Sequence, residues 1–268
     1  MGVINVIKLD MSNEEYHQSE AISASAVKTV AQKSLGHWKY GEVKQSIAME
    51  IGTATHTLVL EPDNKNLVIC GPATRRGKAW EDAKIEAHAN GAVVLTEPDY
   101  QHVQKIADSV RSNTHVKNLL SGDLVVEASV FNTDPDHKVE VRCRPDAWRK
   151  DIGAIIDLKT TIDASPEGFS KSCANFGYHI QEAFYRRVME IEGYEIDRFI
   201  FVAVEKVAPY ATGIYELDET SLIEGRAAVN YALEKMANAK ISGEYPTGFG
   251  EQTTLQIPRW AFKFTKSF

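Results

Sequence analysis

The stretch RPDAWRKDIGAIIDLKTT, residues 144–161, decides the fold that this sequence predicts. It begins with Arg144-Pro145-Asp146 and leads into an apolar run in which Asp157 and Lys159 are the charged positions. Side chains two apart on a strand share one face, so Asp157 and Lys159 are expected side by side. A neighbouring strand that ends at Asp146 can bring a second carboxylate to them. The stretch therefore predicts two adjacent strands with a charged cluster.

The flanking sequence alternates between helical and strand patterns. Helical spacing of apolar residues covers 23–115, with a loop at 71–78, and strands are predicted over 124–132, 139–145 and 152–158. Further on, the patterns predict a helix starting at Ser165-Pro166, a helix over 178–192, strands over 197–204 and 211–217, and a closing helix over 218–241. The predicted fold class is α/β, a central mixed sheet flanked by helices. We expect one domain over 1–268, with a mainly helical part at 1–120, a catalytic core at 121–241 and a tail at 242–268.

The predicted cluster favours metal-dependent chemistry. Two carboxylates in a largely buried place repel each other unless a cation lies between them. Asp146 and Asp157 would hold Mg²⁺ or Mn²⁺, and Lys159 would lie where a water is positioned and negative charge grows. This chemistry is phosphodiester hydrolysis. The alternative is a salt bridge at a sheet edge, and acidic-x-lysine triplets also occur elsewhere, for example Asp82/Lys84.

Two helical features support the metal interpretation. In Gly52-Thr53-Ala54-Thr55-His56, small residues allow a helix to approach a sheet and present one imidazole, although a lone histidine can also be a core residue. Gln181 and Tyr185 are four apart and share one helical face, which can also be an ordinary polar face.

Together these pieces resemble the PD-(D/E)xK nuclease superfamily, and within it the RecE-type exonucleases of phages and prophages, also called exonuclease VIII. The resemblance rests on five segments in the family's order: 52–56 (GTATH), Glu127 in VEASV, 144–146 (RPD), 156–161 (IDLKTT) and 181–185 (QEAFY). It covers nearly the whole chain and implies a restriction-endonuclease-like core.

The resemblance also implies roles for these residues. His56, Asp146, Asp157 and the backbone carbonyl of Leu158 would ligate the divalent ion, and Lys159 would position or activate water. Glu127 matches an acidic position on the first core strand, either touching the metal or orienting a neighbour. Gln181 and Tyr185 would contact DNA or brace the site.

The activity implied by the resemblance is digestion of linear duplex DNA from its end, 5′ to 3′, leaving a 3′ single-stranded tail. The implied partners are double-stranded DNA ends, a single-strand annealing protein of the RecT type, and further copies of this chain in a ring, a tetramer being favoured over a trimer. Phosphate-loop motifs of helicases are absent from the sequence, so hydrolysis is expected to proceed without ATP.

Net charge restricts how DNA could be bound. The chain carries 30 lysines and arginines against 37 aspartates and glutamates, a formal net charge of -7, so only a local basic patch could contact phosphates. The loop with Arg75, Arg76, Lys78 and Trp80 is the predicted patch, unless it is simply a solvated loop. The cations around Asp146 and the arginine pair after the 181–185 segment are further candidates, namely Arg142, Arg144, Arg149, Lys150, Arg186 and Arg187.

Cysteine usage and hydropathy bear on the compartment. Cys70, Cys143 and Cys173 are far apart, which disfavours a zinc or iron–sulfur site. We find no pattern typical of a secretory signal or a membrane span, so a cytoplasmic location in a bacterial host cell is expected. Two rival functions remain open: a structure-specific or restriction-like endonuclease, and a non-catalytic DNA-binding module.

Overall fold

Strand β8, Ala154–Thr161, lies at the centre of the structure, a computed structural model that describes residues 6–42, 46–250 and 252–262. Its first five residues are buried, as expected for a strand covered on both faces. It pairs antiparallel with β7, Ala147–Arg149, and parallel with β9, Arg198–Glu205. Two edge strands, β4 (Leu124–Val126) and β10 (Thr212–Tyr215), complete a five-stranded mixed sheet in the order β10-β9-β8-β7-β4.

A second sheet has three strands in the order β1-β5-β6. These are β1 (Val6–Lys8), β5 (Ser129–Thr133) and β6 (Glu140–Cys143), all antiparallel. After β4 the chain passes directly between the two sheets twice, once from β4 to β5 and once from β6 to β7. Both passages are short, and they bring residues 127–128 next to residues 144–146.

Helices cover both faces of the five-stranded sheet, and several begin at a capping side chain followed by a helix-favouring turn. In chain order they are α1 (Asn13–Gln18), α2 (Ala24–Gln32), α3 (Leu35–Tyr40), α4 (Ile47–Leu60), α5 (Lys78–Ala89), α6 (Glu97–Ser112), α7 (Thr114–Leu119), α8 (Pro166–Phe176), α9 (Tyr178–Ile191) and α10 (Glu219–Ser242). The side chains of β8 point alternately into two hydrophobic cores, one on each face of the sheet. Ile155 packs with the α2, α9 and α10 side, whereas Ile156 and Leu158 pack with α4, α6 and α7.

The sequence-based prediction of an α/β fold with a mixed sheet is confirmed, and the elements after residue 150 lie close to their predicted positions. Ser165 caps α8 through its hydroxyl, with Pro166 in the first turn, as the sequence indicated. Among the helices of the described ranges, none combines the length and the apolar character needed to cross a bilayer.

Two predictions about the earlier elements were wrong. The strand predicted over 124–132 is two strands in different sheets, because the chain turns at Glu127, whose φ is 52°. The strand predicted over 139–145 ends at Cys143, so Asp146 lies in the link to β7 rather than on a strand end. The N-terminal part is mainly helical, as predicted, and it also contains a small parallel sheet formed by Val68–Cys70 (β2) and Val93–Leu95 (β3). The predicted N-terminal part and tail also include 1–5, 43–45, 251 and 263–268, which lie outside the described residues.

Candidate metal centre

The two passages between the sheets meet at the candidate site. The backbone N–H of Glu127 donates to the carbonyl of Asp146 at 3.2 Å, which joins the two passages directly. In β7, Ala147 pairs with Ile156, so the preceding residue Asp146 comes opposite Asp157. One oxygen of Asp146 accepts a hydrogen bond from the backbone N–H of Leu158 at 2.7 Å. Backbone geometry thus fixes the carboxylate of Asp146 beside residues 157–159 of β8.

His56 contacts the carboxylate of Asp146 from α4, which lies on the face of the sheet opposite to α9. Its helix, α4, approaches β8 at Gly52, where an added Cβ would lie 3.9 Å from Thr160 Oγ1. The Nδ1 of His56 lies 3.3 Å from Asp146 Oδ2. The structure thus places the histidine of the GTATH segment against Asp146, as the sequence indicated.

His56, Glu127 and Asp146 form a group with the chemistry of a metal site. Each offers one ligand atom, and the three atoms lie within 4.8 Å of one another. Burial and then the charge of Asp146 raise the pKa of Glu127 to about 8. Burial opposes ionisation of Asp146, but the neighbouring His56 and Lys159 outweigh it and lower its pKa. Such crowding of carboxylates is relieved by a bound cation, so the residues present fit a divalent metal ion.

Asp157 and Lys159 form a buried pair next to this group. The Nζ of Lys159 lies 2.5 Å from Asp157 Oδ1, and the Asp157 side chain is only 1% exposed. Burial raises the pKa of Asp157, whereas the charges of Asp157 and Asp146 overcome burial and raise the pKa of Lys159. The prediction that the two side chains share a face is confirmed by this contact. The structure does not bring Asp157 into the three-residue metal group, because its carboxylate is held by Lys159 and Gln181.

Helix α9 supplies the side chains that surround the pair. Gln181 Nε2 donates to Asp157 Oδ2 at 2.7 Å, while its Oε1 lies 3.4 Å from Lys159 Nζ. Tyr185, one turn further along, lines a cavity of about 760 Å³ together with Glu127 and Arg144. Burial raises the pKa of Tyr185 well above its usual range, so its hydroxyl stays protonated and can donate. Gln181 thus braces the pair, and Tyr185 faces the cavity that opens from the site.

Two of the four side chains in the predicted DNA-binding loop are exposed, and the other two form contacts within the protein. Arg75 forms ion pairs with Glu50 (2.5 Å) and Asp99 (3.0 Å), and Trp80 is buried with the Arg75 guanidinium 5.2 Å from its ring centroid. Arg76 and Lys78 are exposed. The structure therefore leaves Arg76 and Lys78 as the members of this loop able to meet a phosphate, and it gives Arg75 and Trp80 a structural contact.

The other arginines singled out by the sequence all form hydrogen bonds within the protein. Arg144 donates to Ser129, Asn13 and two backbone carbonyls and lies 4.3 Å from the ring centroid of Tyr16. The remaining four also bond to protein oxygens, namely Arg142 to Ser19, Arg149 to Asp151, Arg186 to Glu182 and Arg187 to Asp134. Of the cations suggested around Asp146, the three arginines are thus buried partners of the fold, whereas Lys150 is exposed.

Sequence reasoning missed Lys28. It lies on α2, and its Nζ is 3.5 Å from Gln181 Oε1, within reach of the Asp157–Lys159 pair. A signal was present in the sequence: Lys28 comes four residues after the buried Ala24 and directly after the buried Val27, so a lysine stands on the apolar side of a helix.

A restriction-endonuclease-like core with an acidic and imidazole cluster beside a lysine defines a PD-(D/E)xK-type domain. The chain belongs to the family described as PDDEXK-like domain of unknown function (DUF3799), whose sequence profile matches residues 17–256.

One solved structure shows the same fold at low sequence identity. The crystal structure of a protein from Eubacterium rectale described as a putative exonuclease is 14% identical, with a TM-score of 0.64 over 94% of this chain and 96% of that chain. A phage related exonuclease from Haemophilus somnus 129PT is 13% identical over 83% of this chain and 96% of that chain, but its TM-score is only 0.35. No curated protein sequence matches this chain.

Proposed function

We propose that this protein is a divalent-metal-dependent deoxyribonuclease that hydrolyses phosphodiester bonds without ATP. The observation that carries the proposal is the joint arrangement of His56, Glu127 and Asp146 within 4.8 Å of one another and the buried Asp157–Lys159 pair. Membership of the PDDEXK-like family supports it, because the match spans residues 17–256 and so includes all of these side chains.

The residues of the chain suit the steps of such a reaction. His56, Glu127 and Asp146 would hold Mg²⁺ or Mn²⁺, which supplies a water of lowered pKa and neutralises phosphate charge. Lys159 brings a fixed positive charge next to that group, where it can orient a water and stabilise negative charge on the phosphate. Asp157 and Gln181 hold the Lys159 ammonium in one place, which favours a single geometry of attack.

The finer assignment comes from the resemblance to RecE-type enzymes. On that basis we propose an exonuclease that enters at an end of linear duplex DNA, degrades one strand 5′ to 3′ and leaves a 3′ tail for a RecT-type annealing protein. A homo-oligomeric ring, a tetramer rather than a trimer, and a cytoplasmic location in a bacterial host belong to the same proposal.

The experiment offers linear and covalently closed circular duplex DNA, labelled at either the 5′ or the 3′ end where an end exists, with Mg²⁺ or EDTA and without ATP. The wild type is compared with Asp146→Asn and with Asp82→Asn, an exposed aspartate on α5 that serves as the matched control. We expect Mg²⁺-dependent release of the 5′ label from linear DNA by the wild type and Asp82→Asn only. Cutting of the circle would favour the endonuclease, and cutting of neither substrate would favour the binding module.

A further inference from the structure

Lys28 is a cation at the site that the proposed chemistry does not use. Its Nζ lies 3.5 Å from Gln181 Oε1, and its half-buried side chain runs past Tyr178, whose ring centroid is 5.7 Å from the Nζ. Within the described part of the chain, no carboxylate lies within ion-pairing distance of it. An ammonium group that is largely withdrawn from water is costly unless an anion accompanies it.

Lys159 approaches the same two groups from the opposite element. Its Nζ is 3.4 Å from Gln181 Oε1 and 4.9 Å from the Tyr178 centroid. Two ammonium groups therefore converge on one amide oxygen and one aromatic ring, Lys28 from α2 and Lys159 from β8. Because Gln181 Nε2 donates to Asp157, its Oε1 must face the lysines, which fixes the orientation of the amide.

The charges of this arrangement do not balance. Asp157 is the ion-pair partner of Lys159, at 2.5 Å, and so neutralises that lysine. Lys28, by contrast, has no ion-pair partner of its own among the described residues, although it shares Gln181 with Lys159. Burial, followed by repulsion from Lys159, lowers the pKa of Lys28 to about 8, and the charge of Asp157 offsets these effects only in part. A phosphate monoanion supplies the missing negative charge.

We propose that Lys28 is a second phosphate-binding lysine of this site, and that with Lys159 it clamps a phosphate of the bound DNA strand. Gln181 and Tyr178 separate and orient the two ammonium groups, so the clamp is built before the strand arrives. The inference rests on the proposed function only in taking the anion to be a DNA phosphate.

The test measures binding of a short fluorescein-labelled duplex in EDTA, where no metal-dependent cutting occurs, over a range of NaCl concentrations. The proteins are the wild type, Lys28→Met, Lys28→Arg and, as the matched control, Lys117→Met, which removes an exposed lysine of α7. Losing one phosphate contact should weaken affinity roughly tenfold at low salt. It should also reduce the slope of log K against log salt by about 0.9. Lys28→Arg should restore most of both quantities, and Lys117→Met should change neither.

Two results would overturn the proposal. One is an unchanged affinity and slope in Lys28→Met. The other is a weaker affinity with an unchanged slope, which would make Lys28 a positioning residue for Gln181. Circular dichroism and thermal melting confirm that each variant folds, and Lys28→Gln replaces Lys28→Met if the latter does not. Should the wild type bind DNA through Lys28 but fail to cut it with any metal, the proposed function falls and the phosphate site stands.

Discussion

Glu127 is the residue whose place in the site could not be predicted from its neighbours. The segment VVEASVFN, residues 125–132, has the alternation of one continuous strand, so the side chain of Glu127 should simply point to one face. In the structure its backbone is left-handed, with φ at 52°, which is unusual for a residue with a side chain. The turn divides the strand between two sheets and places the carboxylate with His56 and Asp146.

The sequence favours Asp157 as a metal ligand, whereas the structure groups Glu127 with His56 and Asp146. Measurements of metal affinity distinguish these two sets of ligands. We expect Glu127→Gln and Asp146→Asn each to weaken Mn²⁺ binding at least tenfold, because each removes a ligand of the three-residue group. Asp157→Asn should weaken it less, because Asp157 is bonded to Lys159 and Gln181. Isothermal titration calorimetry with Asp82→Asn as control measures this. Loss of binding in Asp157→Asn with normal binding in Glu127→Gln would contradict the structural grouping.

At the level of elements, the close approach of α9 and α10 holds Gln181 in place. Gly225 of α10 lies against the carbonyl of His179, two residues before Gln181, so an added Cβ would overlap that oxygen. Gly52 of α4 has more room, since its nearest neighbour to an added Cβ is Thr160 Oγ1 at 3.9 Å. Gly225 therefore allows α9 and α10 to pack closely, whereas Gly52 lies where α4 approaches the sheet.

Substitution of these two glycines should have opposite effects on stability. Gly225→Ala should lower the free energy of unfolding by about 1–3 kcal/mol, because backbone cannot move aside as a side chain can. Gly52→Ala should leave it unchanged or raise it by up to about 1 kcal/mol, through helix propensity. Urea unfolding followed by circular dichroism gives both values. Equal stability of wild type and Gly225→Ala would show that α9 and α10 pack less closely than described.

The elements that could be predicted are those with a complete periodic pattern and a clear cap. The run Ile155–Leu158, the Ser165-Pro166 start of α8 and the amphipathic α9 all carry their own signal. Short strands of three residues, such as β2 and β7, carry too few residues for a period and depend on pairing partners far along the chain. The convergence of Lys28 and Gln181, 153 positions apart, depends on packing that local patterns do not encode.

For the whole molecule, one buried carboxylate joins the second sheet to the helical layer. Asp134, after β5, accepts hydrogen bonds from Arg187 of α9 (2.5 Å to Nε) and from the backbone and ring of His137. Burial raises the pKa of Asp134, but these bonds outweigh it and lower the pKa to about 2. The negative charge that remains at neutral pH is therefore part of what holds the sheets and helices together.

Acid should weaken the molecule through this residue. Because the pKa of Asp134 is lower in the folded than in the unfolded chain, its contribution is fully present above about pH 4 and is lost as the pH falls towards 2. The contribution is about 2 kcal/mol. We expect the difference in unfolding free energy between the wild type and Asp134→Asn to shrink over this interval, measured by urea unfolding at a series of pH values. A difference independent of pH would contradict this assignment.

The proposed function requires that the cluster around Asp146 is a metal-dependent phosphodiesterase centre. The most direct measurement is the rate of nucleotide release from linear duplex DNA as Mg²⁺ is titrated, for the wild type and for Lys159→Met. We predict no release in EDTA, a saturable increase with Mg²⁺ in the wild type, and a loss of at least a thousandfold in Lys159→Met while metal binding is kept. Release that persists in EDTA, or that is undiminished in folded Lys159→Met, would contradict it.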